Sequence, residues 1–256
     1  MTTTLSPAQA IASKVPALTV LFWVIKILAT TVGETAADFL NTSLGLGLSG
    51  TSLVMGAVLI VALTAQLRAT RYVPASYWLV VVLLSIVGTL VTDNLTDTVG
   101  LPLWTTTVLF ALALAMTFAA WRTTEHSLSI HTIVTFRREG FYWLAVLFTF
   151  ALGTAGGDLL AEGLSLGYWR SAVLFAAAII AITCAHLRFG VNAIAAFWSA
   201  YILTRPLGAS TGDYLSQASD DGGLGLGTVV TSAMFLVCIV AVVGYLTVSR
   251  SRRVRE

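Results

Sequence analysis

Residues 141–163 read FYWLAVLFTFALGTAGGDLLAEG. The stretch is long and apolar enough to cross a bilayer, which takes about 20 residues of helix. It opens on an aromatic-Trp pair, Tyr142-Trp143, with Gly153 ten residues after the Trp and Asp158 fifteen after it. The same spacing occurs three more times. Phe22-Trp23, Tyr77-Trp78 and Phe197-Trp198 are followed by Gly33, Gly88 and Gly208 at ten residues, and by Asp38, Asp93 and Asp213 at fifteen. In a chain with seven Trp and twelve acidic residues, four matches at both offsets mark an internal repeat.

A second apolar run follows each of these. Each begins near a Gly-Leu-x-Leu, at Gly45, Gly100, Gly163 and Gly223, and the first three end near Arg68, Arg122 and Arg188. The unit is therefore two spans. Such a unit returns the chain to its starting side, so all four units share one orientation around an axis along the membrane normal. The odd spans, which hold the polar residues, are expected to face that axis, and the even ones to face lipid.

Composition agrees. Of 256 residues, 57% are hydrophobic and 10% charged, against about 25% charged in a soluble domain; mean hydropathy is +0.89. A water-facing surface could not be covered, which excludes a soluble enzyme, a disordered chain and a nucleic-acid binder. Cys184 and Cys238 lie inside apolar runs without metal-ligand spacing and read as small buried hydrophobes. The first apolar run, near 16–40, is too long for a signal-peptide core of about 7–15 residues and reads as a retained anchor.

Eight spans are expected, near 16–40, 50–67, 75–97, 103–121, 141–162, 168–187, 192–217 and 225–248. The organisation is an N-terminal segment (1–15), repeat 1 (16–72), repeat 2 (73–124), a linker (125–140), repeat 3 (141–190), repeat 4 (191–249) and a basic tail (250–256). Lys14, Arg68, Arg71, Arg122, Arg137, Arg138, Arg188, Arg250, Arg252, Arg253 and Arg255 fall on one side of this topology, and Arg170 on the other. The positive-inside rule then puts both termini in the cytoplasm. The expected fold is all-α: eight transmembrane helices from four parallel two-helix repeats with pseudo-fourfold symmetry. It is expected in a bacterial inner membrane.

With Trp23, Trp78, Trp143 and Trp198 and their Gly and Asp partners in place, the chain resembles a family of bacterial integral membrane proteins. Those proteins are built from four tandem two-span repeats of unknown function, each with a characteristic Trp. The resemblance covers essentially the whole chain. It implies the topology and brings no substrate.

Function rests on the acids. Eleven, fifteen and nineteen residues after each Trp lie on one helix face. The first set is Glu34, Thr89, Thr154 and Ala209; the second is the four aspartates; the third is Thr42, Asp97, Glu162 and Gln217. Fifteen residues of helix put each Asp about 22 Å beyond its Trp, in the outer half of a core about 30 Å thick. A charge at mid-membrane costs at least about 2.5–3.5 kcal/mol. Seven acids face two bases, Lys26 and Arg205, so most carboxylates must be protonated, hydrated or bound to a cation. Interhelical hydrogen bonding is the bland alternative, and fourfold recurrence weighs against it. The Gly positions read first as close-packing sites and second as helix breaks, for which Gly156-Gly157 and Arg205-Pro206 in spans five and seven are the candidates. The Trp residues read as interfacial anchors. Glu125, Arg137, Arg138 and Glu139 read as an ordinary charged face.

The expected function is a secondary transporter, a proton-coupled exporter of a cation. A hard divalent metal such as manganese suits carboxylate oxygens, with Asp38, Asp93, Asp158 and Asp213 as ring and metal ligands. Glu34, Asp97 and Glu162 are expected as second ligands or proton carriers, and Lys26 and Arg205 as counter-charges that swap partners. A cation channel, a carrier of a small organic cation and a scaffold are the alternatives. An intramembrane aspartyl protease is disfavoured because no Gly-x-Gly-Asp is complete, so no enzyme is expected. The expected partners are the bilayer, the transported cation and protons. No cofactor or nucleic acid is expected, and a homo-oligomer is left open.

Overall fold

The computed structural model describes residues 14–43 and 45–253, with no side chain beyond Ser249. Most of the N-terminal segment, and the tail side chains expected at the basic side, therefore lie outside the described residues. Within them the protein is helical, with no strand. Eight long helices run in sequence: α1 (Val20–Ser43), α2 (Gly47–Arg68), α3 (Pro74–Asp93), α4 (Leu103–Glu125), α5 (Phe136–Asp158), α6 (Tyr168–Phe189), α7 (Ala193–Ser216) and α8 (Thr228–Arg253). Local chemistry sets several ends. Pro74 opens α3, where its missing N–H is no loss. Thr135 and Asn192 cap α5 and α7 through their side chains. Gly190 closes α6 in the left-handed conformation, at φ +69°.

Seven of the eight helices are long and apolar enough to cross a membrane. The exception is α7, which carries Arg205 and Asp213. It is shielded by protein: α1, α5 and α6 pack against it. The protein is thus a multi-pass α-helical membrane protein.

The odd helices form a closed ring in which α1 packs on α3, α3 on α5, α5 on α7, and α7 back on α1. Each even helix leans chiefly on the odd helix of the next repeat: α2 on α3, α4 on α5, α6 on α7 and α8 on α1. The repeats therefore interlock, and the last closes on the first. In the most apolar window of α3, 72% of residues are buried by the protein, against 6% in α6. The inward odd and outward even helices follow from sequence polarity.

The four repeat glycines set how closely the ring closes. A Cβ added at Gly33 would clash with Ser85, at Gly88 with Phe150, at Gly153 with Arg205 and Pro206, and at Gly208 with Thr30. Each glycine thus receives the residue seven places after the Trp of the next repeat. This is close packing, as the spacing predicts. The helices are not broken where expected: α5 runs through Gly156-Gly157 and α7 through Arg205-Pro206. The irregularities come later, as π-helical turns at Asn94–Thr98 and Leu159–Gly163, directly after Asp93 and Asp158. Such turns are frequent at functional sites.

Two further expectations change. Cys184 and Cys238 are exposed, because both stand on outward-facing even helices. The repeat Trp residues do not face outward: Trp78, Trp143 and Trp198 are buried and Trp23 is half-buried. The ring before each Trp packs on the Trp of the following repeat. Centroid distances are 5.7 Å for Phe22–Trp78, 5.2 Å for Tyr77–Trp143, 6.2 Å for Tyr142–Trp198 and 5.8 Å for Phe197–Trp23. The result is an aromatic collar around the axis. Trp104 and Trp169, near the starts of α4 and α6, are the exposed ones.

Candidate functional site

Stepping by four residues along each odd helix from the position before its Trp gives five layers along the axis. The collar layer is Phe22, Tyr77, Tyr142 and Phe197. Next come Lys26, Val81, Val146 and Tyr201, then Thr30, Ser85, Phe150 and Arg205, then Glu34, Thr89, Thr154 and Ala209. All sixteen residues are buried. The aspartate layer opens: Asp213 is buried, and Asp38, Asp93 and Asp158 are half-buried. Beyond it, Asp97 and Glu162 are exposed. The axis is sealed from the Trp end up to Glu34 and widens into an acidic mouth beyond it.

Arg205 makes the seal. From α7 it crosses Gly153 of α5, where only glycine leaves room, and reaches the next layer. Its guanidinium donates to the Thr30 carbonyl at 2.8 Å, to Glu34 Oε2 at 2.5 Å and to Thr154 Oγ1 at 2.7 Å, and also to Thr89 Oγ1. Thr89 Oγ1 donates to Glu34 as well, at 3.3 Å. One cation is thus tied to α1, α3 and α5 at once. The small hydroxyls of repeats 2 and 3 stand where repeat 1 has its Glu. A buried pair of this kind is held by its hydrogen bonds; of the guanidinium nitrogens, Nε is the one with no partner among the described residues.

Lys26 behaves otherwise. It is fully buried, pairs with no carboxylate, and its Nζ has no hydrogen-bond partner. The ammonium lies 3.9 Å from the Phe150 ring centroid and 4.3 Å from that of Tyr201, a cation–π setting. The two expected counter-charges are therefore not equivalent, because Glu34 stands two turns from Lys26 on the same helix and is already held by Arg205.

The four aspartates make no side-chain hydrogen bond or ion pair among the described residues. They are close enough to act on one another: Asp93 feels Asp38, Asp158 feels Asp93, and Asp213 feels both Asp158 and Asp38. Glu34 acts on all four. Even so, among the described residues no three His, Cys, Asp or Glu side chains converge closely enough to hold a metal ion.

This fourfold geometry agrees with a comparison against known families. A family model described as Repeat of Unknown Function (DUF347) matches residues 21–72, 76–127, 141–192 and 196–252. The chain belongs to this repeat family. No curated protein and no solved structure matches it.

The π turns of the second and third DUF347 repeats shift the register beyond their aspartates. Asp97 and Glu162 stand on these turns and are exposed. Glu162 accepts a hydrogen bond from Tyr168 at 3.1 Å. Asn94, which opens the first π turn, ties it to α2 by donating to Ser52 at 2.6 Å and accepting from Ser49 at 2.7 Å.

The basic end of the DUF347 bundle carries a network that composition did not single out. Glu139 is buried and accepts from Lys14 at 2.8 Å, Gln66 at 3.3 Å and Trp143 at 3.4 Å. Glu125 accepts from Arg138 at 2.7 Å and also pairs with Arg137. Lys14, Gln66 and Glu139 thus clasp the N-terminal segment, α2 and α5 together, while Glu125, Arg138 and the exposed Arg137 join α4 to α5. The signal was present in the sequence: Glu139 lies four residues, about one helical turn, before Trp143.

Proposed function

We propose that the protein is a membrane transporter for a cation, which enters from the acidic end, is held by the aspartate ring and is exchanged against protons. The carrying observation is the position of the ring: four carboxylates with no side-chain partner among the described residues sit at the open end of an axis that Arg205 and Glu34 close. Uncompensated carboxylates at this depth call for a positive ligand or protons. The sealed half of the axis supports a carrier over an open channel. The excess of bases at the other end supports cytoplasmic termini and an inner-membrane location.

The separation of the carboxylates bears on the ligand. No site for a bare metal is formed among the described residues, which favours an organic ammonium or a hydrated ion over a dehydrated one. A hard divalent metal such as manganese remains the other arm, and requires the ring to contract. The test is flux into proteoliposomes with monovalent, divalent and organic cations across a pH gradient. We expect saturable, pH-coupled uptake of one class, lost when the ring is changed to Asn. Uptake indifferent to all four Asp→Asn changes, or no cation flux at all, would overturn the reading.

A further inference from the structure

Arg205 and Glu34 close the axis inside the bundle. A second buried ion pair, at the basic end, has no part in that closure. Lys14 Nζ lies 2.8 Å from Glu139 Oε2, with side chains 11% and 1% exposed. Lys14 also donates through Nζ to the Leu67 carbonyl at 3.1 Å, and through its backbone N–H to the Ile133 carbonyl at 3.2 Å. Val15 beside it is buried. The strap that leads into α1 is thus anchored six residues before that helix begins at Val20. In the ring, α1 and α5 stand opposite each other, each flanked by α3 and α7. A strap that runs into α1 and holds Glu139 of α5 therefore ties two helices that are not ring neighbours.

The network around Glu139 reaches further. Gln66 of α2 donates to Glu139, and its own Oε1 accepts from Ser76 of α3 at 2.8 Å. Trp143, which packs on Tyr77 in the aromatic collar, donates to Glu139 at 3.4 Å. One carboxylate thus joins the strap, α2, α3 and the collar. It stands close to water, because Arg68 and Arg71 at the end of α2 are exposed. Location decides what such a pair can do. Parting a buried pair is costly when each charge stays buried and alone. At the end of the bundle the parted groups become hydrated, which offsets much of that cost, so this contact can open and close reversibly.

We propose that the N-terminal strap is the inner gate of the axis: parting of Lys14 from Glu139 releases α1 from α5 at the basic end, frees Trp143 and opens the aromatic collar to water. While the pair is closed, the strap holds the collar end of the ring together. Delivery of a cation to that end requires the pair to part. This role in transport rests on the transporter reading; the opening of the collar does not.

Val81 is a reporter for the gate. It lies one layer inside the collar and is fully buried, and the Arg205 seal stands between it and the acidic mouth. The full-length protein carrying Cys184→Ser, Cys238→Ser and Val81→Cys is placed in nanodiscs and treated with a water-soluble maleimide. Lys14→Met and Glu139→Gln are each expected to speed labelling at least about tenfold. Labelling of a Thr106→Cys reporter, buried in α4, is expected to stay slow in the same variants. Unchanged labelling at Val81→Cys, or an equal rise at both reporters, overturns the proposal, whatever the protein transports. In proteoliposomes, Lys14→Cys with Glu139→Cys, bridged by a cleavable bifunctional thiol reagent, is expected to lose cation counterflow and to regain it on cleavage. Full counterflow while bridged also overturns the gate. Absence of counterflow in the unmodified protein overturns the transporter reading instead, and leaves the gate to be judged by labelling alone.

Discussion

The open and sealed halves of the axis are built by the same four repeats, yet they differ in how far the repeats have diverged. At the open end all four contribute the same residue, Asp. In the sealed half no layer is uniform: Lys26 faces Val81, Val146 and Tyr201, and Arg205 faces Thr30, Ser85 and Phe150. Packing accounts for the difference. A closed fourfold axis has no room for four like charges in one layer, and a buried charge calls for hydrogen-bonding partners from the other helices. Repeats 2 and 3 supply those as Thr89 and Thr154. Where the axis widens the constraint lifts, and four identical carboxylates can coexist because water reaches them. Among the layers that line the axis, uniformity thus marks the one that is not held together by packing.

The largest expected effect tests the sealed half. Glu34→Gln removes the carboxylate that, among the described residues, pairs with the Arg205 guanidinium, and should lower stability by about 3–5 kcal/mol, read as a fall in the unfolding midpoint of the detergent-solubilised protein. Replacing the pair together, as E34Q with R205M, should recover most of that loss. A double variant no more stable than the single one would show that Arg205 acts through its threonine and carbonyl contacts, not through the charge pair.

A smaller effect tests the closeness of the ring. Gly153→Ala places a methyl group against the Arg205 stem and 2.9 Å from Pro206 Cδ, and overpacking of this kind costs about 1–3 kcal/mol. Three residues on, a methyl group at Gly156 meets only Thr107 Cγ2, at 4.0 Å, so Gly156→Ala should stay within about 0.5 kcal/mol of the parent. Equal effects at the two glycines would mean that the helix itself, and not the approach of α7, sets the need for glycine.

How much of this was legible follows the same division. The ring of aspartates, the glycine contacts and the inward face of the odd helices could be read from offsets of ten, fifteen and four residues, because a helix turns period into direction. The collar could not be assigned, since an aromatic residue near a span end looks alike whether it faces lipid or a neighbouring helix. The partnering of each even helix with the next repeat leaves no periodic trace. Lys26 and Arg205 were legible as intramembrane cations but not as unlike ones: their difference depends on which neighbours the packing brings within reach. The π turns after Asp93 and Asp158 leave no trace in the offsets either, because a single wider turn has no period of its own.

The smallest effect has the opposite sign and bears on the open half. Each aspartate lacks a side-chain partner and is repelled by its neighbours, so Asp→Asn removes repulsion without orphaning a cation. Stability should rise slightly at each of Asp38, Asp93, Asp158 and Asp213, by up to about 1 kcal/mol, while transport falls. The increments should not add fully, because every removal also relieves the adjacent carboxylates; the first substitution should gain most and the fourth least. Thermal unfolding of the single, double and quadruple Asn variants measures the series. If one aspartate instead destabilised the protein as Glu34→Gln does, it would belong with the packed network and the ring would be a set of three. A uniform, diminishing gain identifies four carboxylates held near one another against their own repulsion, which folding alone gives no reason to keep.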